Sequence, residues 1–106
     1  MRLLMGEPAI AKDANRSYHY ARYVLKNPFP LGEPTIAKDG FWSIHYAIDV
    51  RKGPFPLGEP AIAKGDYPSY RYALNVLNGP FPLGEPVIYD SALRNAYENS
   101  NLQANK

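Results

Sequence analysis

His19 and His45 stand 26 residues apart, and Arg71 follows at the same interval. A histidine pair can hold a metal ion or pass a proton near neutral pH. An arginine does neither, because it has no free lone pair and keeps its proton, so the third member points to a solvated cationic row rather than a ligand set. Lys12, Lys38 and Lys64 form a second cationic row at that spacing, near Glu7, Glu33, Glu59 and Glu85. If lysines and glutamates share a face they form a mixed ion-pair ladder worth little per pair. If the acids face elsewhere, the lysines offer a phosphate track. The ladder is the expected arrangement. Serine has a row of its own, Ser17, Ser43 and Ser69, on what reads as an apolar helix face where a small side chain lets helices approach. The sequence holds no nucleophile elbow, Walker glycine loop or metal-spaced histidine and carboxylate cluster. No catalytic residue, metal or cofactor is expected, and the chain reads as non-enzymatic.

The elements that position these rows follow from an internal repeat. Gly6-Glu7-Pro8 recurs as Gly32-Glu33-Pro34, Gly58-Glu59-Pro60 and Gly84-Glu85-Pro86, each 26 positions on. Pro28-Phe29-Pro30-Leu31 recurs as Pro54-Phe55-Pro56-Leu57 and Pro80-Phe81-Pro82-Leu83. This periodicity marks a repeat architecture, with units at 6–31, 32–57 and 58–83 and a degenerate capping unit at 84–103. Residues 1–5 resemble the worn tail of a preceding unit. The whole chain, 1–106, is read as a single repeat domain.

Within a unit, Pro8 suits the first position of a short helix, where its missing N–H costs nothing, and Ala9 to Lys12 supply about one turn. Asp13 and Asp39 are placed to cap a second helix, and Asp66 to do so one residue later in its unit. In that helix Ser17, Tyr20, Ala21, Val24 and Leu25 fall on one face at helical spacing. Asn27, Gly53 and Gly79 sit where a left-handed residue would end the helix before proline stops it. The Pro-Phe-Pro-Leu connector can join neither a helix nor a sheet, so its phenylalanine and leucine are expected in the groove between units. In the fourth unit Asp90 is expected to cap a second helix whose face is Leu93, Ala96, Tyr97 and Ser100, with the rest polar, as an end unit of a solenoid requires. The predicted fold is all-α: a short solenoid of about four 26-residue helix–turn–helix units.

Composition narrows the function classes. The 106 residues contain no cysteine, which excludes disulfides and thiolate chemistry. No apolar run approaches a bilayer span and no cleavable leader is recognisable, so no membrane role is expected. A net charge of +2 is too small to attract nucleic acid by bulk field.

The strings Gly-Glu-Pro-x-Ile-Ala-Lys-Asp, Ser-Tyr-x-Tyr-Ala-x-x-Val-Leu and Pro-Phe-Pro-x-Gly-Glu resemble short tandem helical repeats in small proteins of tailed bacteriophages and prophages. The resemblance covers residues 6 to about 93. It implies a phage-encoded protein acting in the bacterial host cytoplasm on host or defence machinery, and it carries no catalytic residues to map.

Positions identical in every full unit are those the fold demands, so function is sought where units differ. The differing sets are Ala14-Asn15-Arg16, Gly40-Phe41-Trp42 and Tyr67-Pro68 after the cap; Arg22-Tyr23, Ile48-Asp49 and Leu74-Asn75 in mid-helix; and Arg51 where the first unit has Leu25. Phe41, Trp42, Tyr67, Arg16, Tyr23 and Arg51 are the candidate protein-binding residues, with Phe41 and Trp42 as aromatic anchors; the competing reading packs both as extra core. A nucleic-acid or nucleotide-binding reading uses Lys12, Lys38, Lys64, His19, His45 and Arg71, with Tyr18, Tyr23, Tyr67 and Tyr70 as stacking platforms. A structural reading has Leu3, Leu4 and Met5 docking a second copy at the N-terminal end.

Overall fold

Proline in the first turn and a carboxylate or glycine before the next helix build the same helix pair in each full unit. The structure, a computed structural model, describes residues 6–100; Met1 to Met5, with their expected remnant and docking roles, and residues 101–103 of the capping unit lie outside them. The short helices are α1 (Glu7–Ile10), α3 (Glu33–Ile36), α5 (Glu59–Ile62) and α7 (Glu85–Tyr89), and the longer ones are α2 (Ala14–His19), α4 (Gly40–Tyr46), α6 (Asp66–Arg71) and α8 (Arg94–Asn99). No strand occurs among the described residues. The protein is all-helical, with neighbouring helices packed in a short repeat-like stack. Helix α4 lies beside both α2 and α6, while α3 packs on α2, α5 on α4 and α7 on α6. The stack is elongated, 49 × 19 × 17 Å.

Asp13 accepts the Arg16 amide at 2.9 Å and Asp39 the Trp42 amide at 3.0 Å, so both cap as expected. Asp66 does not. Gly65 occupies the cap position and Asp66 is the first helical residue, its carboxylate turned onto the Tyr67 amide. Asp90 also departs from expectation, because it ends α7; α8 starts three residues beyond Ser91, whose hydroxyl accepts the Leu93 amide at 3.1 Å. Ser100, expected on the inner face of α8, is exposed.

The long helices α2, α4 and α6 each continue into π geometry, over Tyr20–Leu25, Ala47–Arg51 and Tyr72–Leu77. A π turn takes more residues than an α turn, and the inward face drifts off the expected register. Val24, assigned to that face, is 61% exposed. The left-handed residues that end these helices are Lys26, Lys52 and Asn78, at φ 55°, 54° and 50°, not Asn27, Gly53 and Gly79. The displaced three each precede a proline, whose ring disfavours helical conformations in the residue before it. The left-handed step therefore falls one residue earlier, and the amides of Asn27, Gly53 and Gly79 close on the carbonyls of Ala21, Ala47 and Ala73.

Phe29, Phe55 and Phe81 are buried in the grooves between units, together with Ile36, Ile62, Ile88 and Tyr46, Tyr72, Tyr97. Burying each such side chain is worth about 1.5–3 kcal/mol, and every groove draws on two units, which is why stacking is needed for any unit to fold. The connector leucines do not follow their phenylalanines: Leu31, Leu57 and Leu83 are 55–56% exposed. The cause is the 3-10 turn at Pro30–Gly32 and its repeats. Its glycine must face inward, because a Cβ on Gly58 would stand 2.5 Å from Ser43 Oγ, and the same holds for Gly32 on Ser17. With Phe and Gly turned in, the leucine between them points out. These glycines thus serve close packing rather than helix starts alone, and the serines opposite are buried and donate to Ile10, Ile36 and Ile62 carbonyls at 2.9–3.1 Å.

Candidate functional site

The first turn of α4 carries Phe41 and Trp42 side by side, and the structure sends them in different directions. Trp42 is half-buried and packs on Tyr18 of the preceding unit, ring centroids 5.2 Å apart. Phe41 is 55% exposed and rests edge-on against Trp42 at 4.8 Å and on His45, one turn along the same helix, at 4.5 Å. His19 meets Trp42 at 5.5 Å and stacks on exposed Tyr23 at 5.8 Å. The two histidines thus join an aromatic surface spanning α2 and α4, His19 exposed on it and His45 half-buried. No group of three or more metal-ligating side chains lies together among the described residues.

A polar clamp holds this surface from below. Tyr18 is buried and donates its hydroxyl to Asp49 at 2.5 Å, while Arg22 donates to that hydroxyl at 2.6 Å and pairs with Asp49 at 3.2 Å. Burial first, and then the hydrogen bond to the Asp49 carboxylate, push the Tyr18 phenol up to about 12, against the opposing pull of Arg22. His45 Nδ1 lies 3.9 Å from the same carboxylate. The clamp joins units one and two, so the aromatic rings sit on a seam braced by charge-assisted hydrogen bonds. Tyr18 is thereby removed from the stacking platforms named above, and Tyr70 is half-buried.

Tyr67 occupies in α6 the place that Phe41 holds in α4, and it is 54% exposed. Arg71 lies over its ring, 5.9 Å from the centroid, in the attractive range for a cation on an aromatic face. Arg16 is exposed at the position that becomes Trp42 one unit later. Arg51 is not brought to this surface. Its guanidinium pairs with Glu33 at 3.3 Å, donates to the Pro54 carbonyl at 3.0 Å and lies over buried Phe55.

Lys12, Lys38 and Lys64 are exposed and, among the described residues, none pairs with a glutamate. The expected ladder is absent because the glutamates are engaged on the tyrosines: Glu7, Glu33, Glu59 and Glu85 accept the hydroxyls of Tyr20, Tyr46, Tyr72 and Tyr97. Sequence reading missed the Tyr18–Arg22–Asp49 clamp. Its signal was an arginine and a carboxylate at varying mid-helix positions of successive units, at neighbouring heights in the stack.

Comparison with protein-family models, with curated proteins and with solved structures gives no significant match. Among the described residues no helix is long and apolar enough to cross a membrane.

Proposed function

We propose that this chain is a non-enzymatic protein-binding module that presents Phe41 and Tyr67, backed by Trp42, His19, His45 and Tyr23, on one side of a rigid helical stack. The observation that carries this reading is the exposure of Phe41 and Tyr67 at matched places in consecutive units, at positions where the repeat itself does not require an aromatic. Large aromatic side chains cost little ordering entropy and dominate the energy of binding surfaces. The resemblance to phage tandem repeats extends the proposal to a phage-encoded inhibitor or adaptor that acts on a host or defence protein in the bacterial cytoplasm.

The test is affinity capture from bacterial lysate with the parent chain and a Phe41→Ala/Tyr67→Ala variant of unchanged circular dichroism. One protein bound by the parent and lost from the variant is the expected result. Nucleic acid recovered equally by both overturns the reading in favour of the cationic rows.

A further inference from the structure

Where the long helices of units one and two end, Ala21, Arg22, Lys26, Asn27, Asp49, Val50 and Lys52 line a partly open cavity of about 120 Å³. That is well short of the roughly 300–1,000 Å³ typical of sites for larger organic ligands, so an occupant must be small. The wall carries three cations and one carboxylate. Asp49 is already engaged by Tyr18 and Arg22, whereas the ammonium groups of Lys26 and Lys52, whose backbone amides cap the helices on Ala21 and Ala47, make no ion pair or hydrogen bond among the described residues. Arg22 uses only Nη1 on its partners, and a guanidinium has five N–H donors.

Two independent features single out this cavity. Lys26 and Lys52 both hold left-handed backbone, a conformation that favours asparagine or glycine, and the third unit does use asparagine there, Asn78. A lysine retained at such a position points to a use for its ammonium group. The charge is also specific to one seam. One unit further on, Arg22, Lys26, Asn27, Asp49 and Lys52 are replaced by Ile48, Lys52, Gly53, Asn75 and Asn78, leaving a single cation, so the repeat fold does not demand the cluster.

We infer that this cavity binds a doubly charged tetrahedral oxyanion, phosphate or the phosphate group of a small monoester, held by Arg22, Lys26 and Lys52. Arginine supplies a fork of N–H donors and the lysines supply point charges, the usual pairing at phosphate sites.

The repeat provides its own controls. Lys26→Asn/Lys52→Asn installs the residue that unit three already carries in that conformation, and Arg22→Ile installs the residue of unit two, so both variants are expected to fold. Amide chemical shifts are followed during titration with inorganic phosphate, against sodium chloride at matched ionic strength. Saturable shifts confined to residues around 21–27 and 49–52 are expected with phosphate alone, with affinity falling about tenfold or more in either variant. Glycerol phosphate in place of phosphate then distinguishes a monoester site from one closed around the free ion. Absence of shifts, shifts reproduced by chloride, or undiminished binding in both folded variants would overturn the assignment and leave the lysines as helix-terminal charges facing the carbonyl dipole.

Discussion

The Tyr46 hydroxyl donates to Glu33, 13 residues earlier in the same unit, at 2.6 Å. That oxygen also accepts the buried amide of Phe29 from the preceding unit at 2.9 Å. One phenol therefore ties a short helix to a long helix and both to the connector behind them. Tyr72 and Tyr97 repeat the arrangement on Phe55 and Phe81.

Removing that oxygen strands the Phe29 amide, whereas Glu33 keeps its pairing with Arg51. Tyr46→Phe leaves the Phe29 amide buried without an acceptor, and such a loss costs about 1–3 kcal/mol. Urea unfolding should show this decrease for Tyr46→Phe and for Tyr72→Phe alike; a change within experimental error in both would mean that water replaces the hydroxyl.

The same phenols set an alkaline limit. Burial first, and then the hydrogen bond to a glutamate, push Tyr46, Tyr72 and Tyr97 up, and Tyr18 is raised to about 12 by burial and Asp49. A folded value above the unfolded value of about 10 means that the fold favours the neutral phenol. This contribution is whole below about pH 10 and is lost as pH rises from there through the folded values. Thermal midpoints measured upward from neutral pH should decline beyond about pH 10, with tyrosinate absorbance of the buried rings rising together with unfolding. A flat midpoint through that range would contradict the assigned contacts.

Gly58→Ala tests the close approach of the connector to the preceding long helix. Alanine normally gains about 0.8–1 kcal/mol over glycine in a helical setting, and the backbone here, φ −92°, accepts it. Its Cβ would nevertheless stand 2.5 Å from Ser43 Oγ and 2.7 Å from Phe55. Overpacking of this kind costs about 1–3 kcal/mol, so a lower unfolding midpoint is expected, and a higher one would show that the units can slide apart without penalty.

Asp39→Ala and Asp66→Ala separate a cap from its near match. Asp39 accepts the Trp42 amide, and losing such a cap costs about 1 kcal/mol. Asp66 sits inside its helix behind Gly65, so its loss should change stability by no more than about 0.5 kcal/mol. Equal effects in denaturant melts would refute the difference in cap geometry.

The helix pair and the buried phenylalanines were legible because each rests on a local rule: proline in a first turn, aspartate before a helix, an aromatic in a rigid connector. What was not legible depended on geometry between units. The exposure of Leu31 follows from Gly32 being turned onto Ser17, and the exposure of Val24 from a π turn that no residue pattern announces. The candidate surface was half readable. Phe41 stood out by contrast with Asn15 and Tyr67, but that Trp42 would turn inward depended on Tyr18 of another unit, and Tyr18 in turn on an aspartate 31 residues away.

The tyrosine that satisfies each connector amide always belongs to the following unit: Phe29 is served by Tyr46, Phe55 by Tyr72 and Phe81 by Tyr97. Completion therefore has a direction. On a ribosome, which releases the chain from its N-terminus, a unit cannot close its own connector until the next one has emerged, and a break late in the chain leaves an open groove at the new end. The repeat is thus read out like a zip fastened from behind, each segment secured only by its successor.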